Sequence, residues 1–367
     1  MTMKPPASSG DRGLLDAILE RGEARQEASD AAWLAAMLLT EAALAEVWAE
    51  LDRIPPSHAA AIRAACTPER YDITALGEAA AEHGNPVLPL VRAIRAEVGE
   101  EVAPSVHFGA TSQDILDTAA MLVAYQACAP ILASMRGAAE AAAGLAGEYR
   151  DTPLMARTLL QDAEPITFGV TAADWLVALS EAATRLQQVR EGRLAVQLGG
   201  PVGLLVGYPA KKLAEKLGLQ APQSAWHTNR SRVSELAGAL GGACGVIGKV
   251  ARDVTLLPVA EARPGSSSSM PHKRNPVAAV SAVACAMQAP GLVATLHAAM
   301  VQELQRAAGA WHAEWKPWRD LLICTGSAAA WLHESLDGLR FHGSAIDRQP
   351  DLEACRAYID LALEANG

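Results

Sequence analysis

The stretch Gly265-Ser266-Ser267-Ser268-Ser269-Met270-Pro271-His272-Lys273-Arg274-Asn275-Pro276 holds the residue types best suited to chemistry. Four serines after a glycine form a polar loop that has no place in a packed core. Asn275-Pro276 then reads as an N-cap followed by a proline at the first helical position. The apolar run from Val277 to Leu304 predicts a long, mostly buried helix, bent at Pro290. In this reading free loop N–H groups, a helix N-terminus and Lys273 converge on one point, which makes a site for an anion. A second polar turn, His107 to Asp114, opens another helix, with Thr111 or Ser112 as its N-cap and Asp114 in its first turn. Taken singly, a Ser-rich linker and an ordinary capping turn would explain these features equally well.

Their company decides between the readings. Ser267-Ser268-x-Met270-Pro271-x-Lys273-x-Asn275 resembles the signature loop of the fumarase/aspartase superfamily, Gly-Ser-Ser-x-Met-Pro-x-Lys-x-Asn, with Ser266 where the family has glycine. Gly109-x-Thr111-Ser112-x-Asp114 is similar to a substrate-binding motif of the adenylosuccinate lyase branch. The resemblance implies a reaction that adds or removes a group beta to a carboxylate, through a carbanion held as an enediolate. Preorganised N–H donors, helix N-termini and a fixed cation can hold that charge. The resemblance places Ser267 as the catalytic base, with Lys273 and nearby N–H groups stabilising its alkoxide once the loop closes and excludes water. It places His107, Thr111, Ser112, Thr158, Gln161, Met270, Asn275 and Arg306 at positions that bind substrate carboxylates or polar groups, and Arg157 behind the site as a brace. It implies neither a metal nor an organic cofactor, because the substrate's own carboxylate is the electron sink.

One departure separates the branches. Adenylosuccinate lyase-like enzymes carry a Thr-His-Gly-Gln motif whose histidine handles the proton of the leaving group, and here that position is Leu159. An amine leaves poorly without an acid. A carboxylate, whose conjugate acid has a pKa of about 4, departs unprotonated at neutral pH. Leu159 therefore suits the opening or closing of a lactone. Further stretches resemble the lactonizing branch of the superfamily, the 3-carboxy-cis,cis-muconate cycloisomerases: His107 to Asp114, Gln197-Leu198-Gly199-Gly200, Trp226-His227-Thr228-x-Arg230-x-Arg232 and Trp311-His312-Ala313-Glu314-Trp315. Trp311 and Trp315, one helical turn apart, could equally be a packing face. His312 is expected near the site, with no role assigned. The alternatives are a cycloisomerase for a related substrate such as a sulfonated muconate, an adenylosuccinate- or argininosuccinate-type lyase, and a non-catalytic structural homologue.

The elements that must position these residues are helices. Half of the 367 residues are hydrophobic, yet there are only eight Trp, five Tyr and three Phe, and Gly and Pro fall mostly between long periodic segments. That composition predicts an all-α protein built on stacked helices. A net charge of −10 and the lack of a basic block argue against nucleic acid as a partner. The six cysteines are far apart and read as small buried hydrophobes, and the nine histidines show no ligand spacing. The polar start, Met1 to Gly13, does not read as a signal peptide, and no run of 18 residues is purely apolar, so a cytoplasmic protein without a membrane span is expected. Expected helices are Leu14–Glu20, Ala31–Leu51, one from Pro165 to about Gln197 (~50 Å long), one from about Thr228 to Leu257, the one after Asn275, and Leu352–Glu364. Glycines 238, 241, 242, 245 and 248 suggest close backbone packing of the second long helix. The resulting division is residues 1–106 as an N-terminal helical domain, 107–335 as a fumarase/aspartase-like central bundle, and 336–367 as the short remnant of a largely absent C-terminal domain. Only a short segment, Val259 to Pro264, precedes the serine loop where relatives carry a longer insert. The resemblance also implies a homotetramer acting on a small polycarboxylate, with each active site shared between subunits.

Overall fold

The computed structural model describes residues 13–205, 208–343, 346 and 348–366. The polar start read above falls, up to residue 12, outside the described residues. Two short helices, α1 (Asp16–Leu19) and α2 (Ala24–Glu27), precede α3 (Asp30–Glu50). Ser29 starts α3 by accepting the Ala32 N–H at 3.2 Å, the capping that a Ser-Asp pair predicts. Next come α4 (Pro56–Ala65), α5 (Ile73–His83) and α6 (Val87–Val98). Gly84, at φ 74°, ends α5 in the left-handed conformation that a residue without Cβ adopts most readily.

The centre is a bundle around α7 (Ser112–Glu148), a helix of 37 residues. A hairpin of β1 (Pro153–Thr158) and β2 (Gln161–Thr167) then leads into α8 (Phe168–Gly192), followed by α9 (Tyr208–Leu217) and α10 (Ser231–Leu256). Two-residue strands β3 (Val259–Ala260), β4 (Gly265–Ser266) and β5 (Arg274–Asn275) lead to α11 (Val277–Ala286) and α12 (Ala289–Ala298). The chain continues through α13 (Ala310–Leu336), the short strand β6 (Arg340–Phe341) and α14 (Leu352–Asn366). Helices α8 and α13 pack along α7, α10 lies against α8, α11 and α13, and α14 covers α8. One continuous core of Leu, Ile, Val and Ala joins them, with Phe168 stacked on Phe341 at 4.5 Å between centroids.

Several expectations need correction. Pro165 does not start α8. It sits opposite Met155 in the two-stranded hairpin, where its missing N–H breaks no ladder a third strand would need, and Thr167 supplies the cap instead. The helix after Asn275 is two helices ending at Ala298. Pro290 can neither donate to the Ala286 carbonyl nor avoid it with its ring, so the chain breaks at Met287-Gln288, ahead of the proline. Asn275 is not the N-cap: it belongs to β5, and α11 begins at Val277 after Pro276. The bundle also has more long helices than the three expected, because α7 and α13 are as long as α8 and α10.

The expectation of no membrane span does not follow from helix length and composition. Helices α3, α7 and α10 and the stretch Val277–Ala298 are each long and apolar enough, by length and composition, to cross a membrane. In α7 most of that apolar window is buried against the other helices, together with Asp114 and Asp117. The glycines of α10 divide in two. A Cβ on Gly241 would meet Val293 at 2.8 Å and one on Gly248 would meet Ala286 at 3.1 Å, whereas Gly238, Gly242 and Gly245 face nothing within 4 Å. Gly238 and Gly242 line a groove of about 760 Å³ between α8 and α10.

Candidate active site

The first wall of the site is built at the start of α7. Thr111 is the N-cap, its N–H donating to Asp114 Oδ2 at 3.0 Å, and Ser112 is the first helical residue. Asp114 is buried and gathers two other segments: it accepts the Gly199 and Gly200 N–H groups at 2.9 Å each, and His227 Nε2 lies 2.6 Å from Oδ1. Gly200, at φ 66°, turns the chain so that both amides face one carboxylate. Its carbonyl accepts from Arg306 Nη2 at 2.8 Å, and Thr228 Oγ1 donates to the Leu304 carbonyl at 2.8 Å. Thr111, Ser112, His227, Thr228 and Arg306 are thereby fixed in one wall although they span almost two hundred residues of sequence.

Beneath this wall lies a buried ionic layer. Arg230 donates to both oxygens of Asp117, at 2.8 and 3.0 Å, and to Glu314, at 2.6 Å from Nη2. Trp311 Nε1 donates to Asp117 at 3.0 Å and Gln302 Nε2 to Glu314 at 2.9 Å. Burial opposes the Arg230 charge, but Asp117 and Glu314 outweigh it and hold the guanidinium above its ordinary value. Burial pushes the Glu314 carboxyl up, against the pull of Arg230. Burial lowers half-buried Arg306 from its ordinary value, with Asp114 and Asp117 countering, and the guanidinium stays a cation.

His107 stands next to this wall with its backbone at φ 62°, and its Nδ1 lies 2.6 Å from Oε1 of buried Glu41. Burial works against the charged ring. The charge and hydrogen bond of Glu41, with Asp114 further off, outweigh burial and raise His107 above 6.5.

The serine loop is a second, exposed unit. Gly265 pairs with Asn275 and Ser266 with Arg274, so Ser267 and Lys273 are the first and last residues of the loop, at the two sides of its mouth. Ser267 Oγ accepts from the Met270 N–H at 3.2 Å and the Ser269 N–H at 3.4 Å. Met270 is 40% exposed at the tip. The helix N-terminus does not join this group. The Ala278 and Ala279 N–H groups donate to the buried carboxylate of Glu261, at 3.2 and 2.8 Å, and Ser335 Oγ donates to it at 2.7 Å. The terminus of α11 already holds an anion from its own chain, which corrects the expectation that loop, lysine and helix end form one site.

Arg157, Thr158 and Gln161 form a third unit, the exposed β1–β2 hairpin. Leu159 (φ 51°) and Leu160 (φ 62°) make its turn, and Leu159 is 97% exposed. Arg157 pairs with Asp162 at 3.0 Å. Among the described residues no hydrogen bond or ion pair links this hairpin to the serine loop or to the Thr111 wall. His312 bonds through Nε2 to the Gly84 carbonyl at 2.8 Å and packs on Trp311 and Trp315, so within the chain it serves the junction of α13 with the α5–α6 turn. Sequence reasoning missed Glu41, Glu261 and the Asp117–Arg230–Glu314 layer. The Gln197–Gly200 and Trp226–Arg232 stretches did point to segments that meet at Asp114.

Residues 11–291 match a protein family described as Lyase. The 3-carboxy-cis,cis-muconate cycloisomerase of Bradyrhizobium diazoefficiens is 42% identical over 345 residues, which cover 89% of this chain and 76% of that protein. The nitrosuccinate lyase of Streptomyces davaonensis is 40% identical over 377 residues, covering 96% of this chain and 77% of that one. The crystal structure of the 3-carboxy-cis,cis-muconate lactonizing enzyme from Pseudomonas putida matches with a TM-score of 0.84 at 39% identity, over 95% of this chain and 80% of that one. The chain belongs to this lyase family, the fumarase/aspartase superfamily, and has its all-α fold. Within the family it is similar to the 3-carboxy-cis,cis-muconate cycloisomerases.

Proposed function

We propose that this chain is an intramolecular lyase that converts 3-carboxy-cis,cis-muconate to 4-carboxymuconolactone, a step in the catabolism of aromatic compounds by the protocatechuate branch of the β-ketoadipate pathway. One substrate carboxylate oxygen bonds to a carbon of the neighbouring double bond. The electron pair of that bond moves to the adjacent carbon and into its carboxylate. Ser267 delivers a proton to that carbon, and its alkoxide regains one from solvent, so the reaction takes up a single proton. In reverse the Ser267 alkoxide removes it. The observation that carries this reading is the serine loop, which already directs the Ser269 and Met270 N–H groups at Ser267 Oγ and sets Lys273 across its mouth. Thr111, Ser112, Arg306 and protonated His107 suit the substrate carboxylates, and Thr158, Gln161, Met270 and Asn275 complete the polar lining.

The site is shared. Two leucines in the left-handed region at an exposed hairpin tip are costly for a free surface and suit a tip received by a neighbouring copy. The groove lined by Gly238 and Gly242 and the exposed Val280 and Met287 of the α11–α12 stretch suit helices of further copies, in a cytoplasmic homotetramer.

Leu159 favours a second reading. Nitrite, like a carboxylate, leaves without an acid, so elimination from a nitrosuccinate would use the same serine and equally need no histidine at 159. Assaying the purified enzyme on 3-carboxy-cis,cis-muconate beside nitrosuccinate, adenylosuccinate and argininosuccinate separates these activities. A preference of a hundredfold or more in kcat/KM for carboxymuconate is expected, and turnover of another substrate alone would refute the assignment.

A further inference from the structure

Glu41 lies on α3, outside every motif that marks the site, and the residue is 1% exposed. Its Oε1 meets His107 Nδ1 at 2.6 Å, while Oε2 is buried with no hydrogen-bond partner among the described residues. A carboxylate so placed is destabilising unless an opposite charge stands beside it. His107 is pinned on both sides. Arg95 Nη2 donates to the Val106 carbonyl at 3.1 Å, and Phe108 packs edge-on against Trp48 at 5.7 Å. Between these anchors His107 is held in the left-handed region at φ 62°, a conformation that costs a non-glycine residue energy and persists where the surroundings enforce it. The two ring nitrogens flank Cε1 and point in well-separated directions, so Glu41 at Nδ1 leaves Nε2 for another partner. With Nδ1 turned inward to Glu41, the His107 side chain is still 14% exposed, and Nε2 has no hydrogen-bond partner among the described residues.

We propose that Glu41 is a positioning residue: it fixes the tautomer, orientation and charge of His107, so that Nε2–H is presented to a carboxylate of the bound substrate. This rests on the reading above that the cleft takes a polycarboxylate, and it names the group through which a remote buried acid sets the affinity. The charged groups facing His107 are Glu41 from α3, Asp114 from α7 and Arg95 from α6. Burial and Arg95 disfavour the imidazolium, whereas Glu41 and Asp114 favour it and prevail. The pKa of the ring is therefore raised, and affinity for the substrate falls as pH rises through the raised value.

The test uses the full-length assembled enzyme and an inert tricarboxylate, tricarballylate, as probe, so that it does not depend on which reaction is catalysed. In wild type, the His107 ring resonance should titrate above the free-histidine value, and the Kd of tricarballylate should weaken over the same pH range. In Glu41→Gln the titration should move to lower pH and the Kd at neutral pH should rise about tenfold, the loss expected for one charge-assisted hydrogen bond. Glu41→Asp should restore part of both. In His107→Gln the affinity should lose this pH dependence, and adding Glu41→Gln should change it no further. An unshifted His107 titration in Glu41→Gln, or equal Kd values in wild type and His107→Gln, would overturn the proposal. If Glu41→Gln does not fold, the His107→Gln binding profile decides alone. Wild type that binds tricarballylate with the expected pH profile but leaves carboxymuconate unchanged would refute the cycloisomerase assignment and leave this one standing.

Discussion

The proposed role of Ser267, an alcohol acting as a base, rests on local features: two loop amides within 3.4 Å of its oxygen and a lysine at the other end of the loop. Ser267→Ala should lower kcat by about three orders of magnitude or more, with circular dichroism and light scattering unchanged. A variant that retains wild-type turnover would remove serine from the mechanism. Leu159→His should change lactonization less than about threefold, because a departing carboxylate needs no proton; a large gain would show that proton donation had been limiting. His107 makes a pH prediction. Its folded pKa is raised above its unfolded value, so the pairing with Glu41 contributes fully below about pH 6.5 and is lost as pH rises through the folded value. Denaturant midpoints measured from about pH 6 to pH 9 should fall in wild type and stay flatter in His107→Gln.

Elements hold these residues through a few buried polar anchors. Glu261 satisfies the first free amides of α11 and so sets where the serine loop re-enters the bundle. Glu261→Ala strips two buried N–H groups and Ser335 of their acceptor and should cost about 2 kcal/mol or more, read as a lower denaturant midpoint. Arg230 ties α10 to α7 and α13. Arg230→Met leaves Asp117 and Glu314 buried without their cation and should cost about 3–5 kcal/mol in chemical unfolding. The Gly199-Gly200 turn has a different sensitivity. A Cβ at Gly199 would meet Ala225 Cβ and His227 Cε1 at 2.6 Å, so Gly199→Ala should push the turn away from Asp114 and reduce kcat/KM by more than its loss of stability explains.

At the scale of the whole molecule, the Thr111 wall, the serine loop and the hairpin are separate units of one chain, and the proposed chemistry needs all three together. Mixing inactive Ser267→Ala with inactive Gln161→Ala, after dissociation and reassembly, should therefore restore part of the activity, since some sites would then combine two intact segments. Failure of every such mixture to recover activity would mean that a single chain supplies the whole site. Gly242→Leu faces open space in the isolated chain and lies in the α8–α10 groove, so it should leave helicity unchanged and shift light-scattering mass toward smaller species.

The ordered residues of the serine loop, the Thr111-Ser112 turn and the Ala/Leu periodicity were enough to read an all-α, fumarase/aspartase-like protein similar to the 3-carboxy-cis,cis-muconate cycloisomerases. Local order carries that information because caps, helical periods and a loop motif are each written in contiguous residues. Which partner a buried polar group takes is not written that way. Glu261 reaches the start of α11, Asp114 gathers Gly199, Gly200 and His227, and Glu41 reaches His107 only because distant helices pack side by side. Pro165 could open a helix or sit in a hairpin by local preference alone, and the cap at Thr167 together with pairing to β1 decided for the hairpin. Tertiary packing made those choices, since the free energy of satisfying a buried charge or amide exceeds the small local preferences that sequence patterns express.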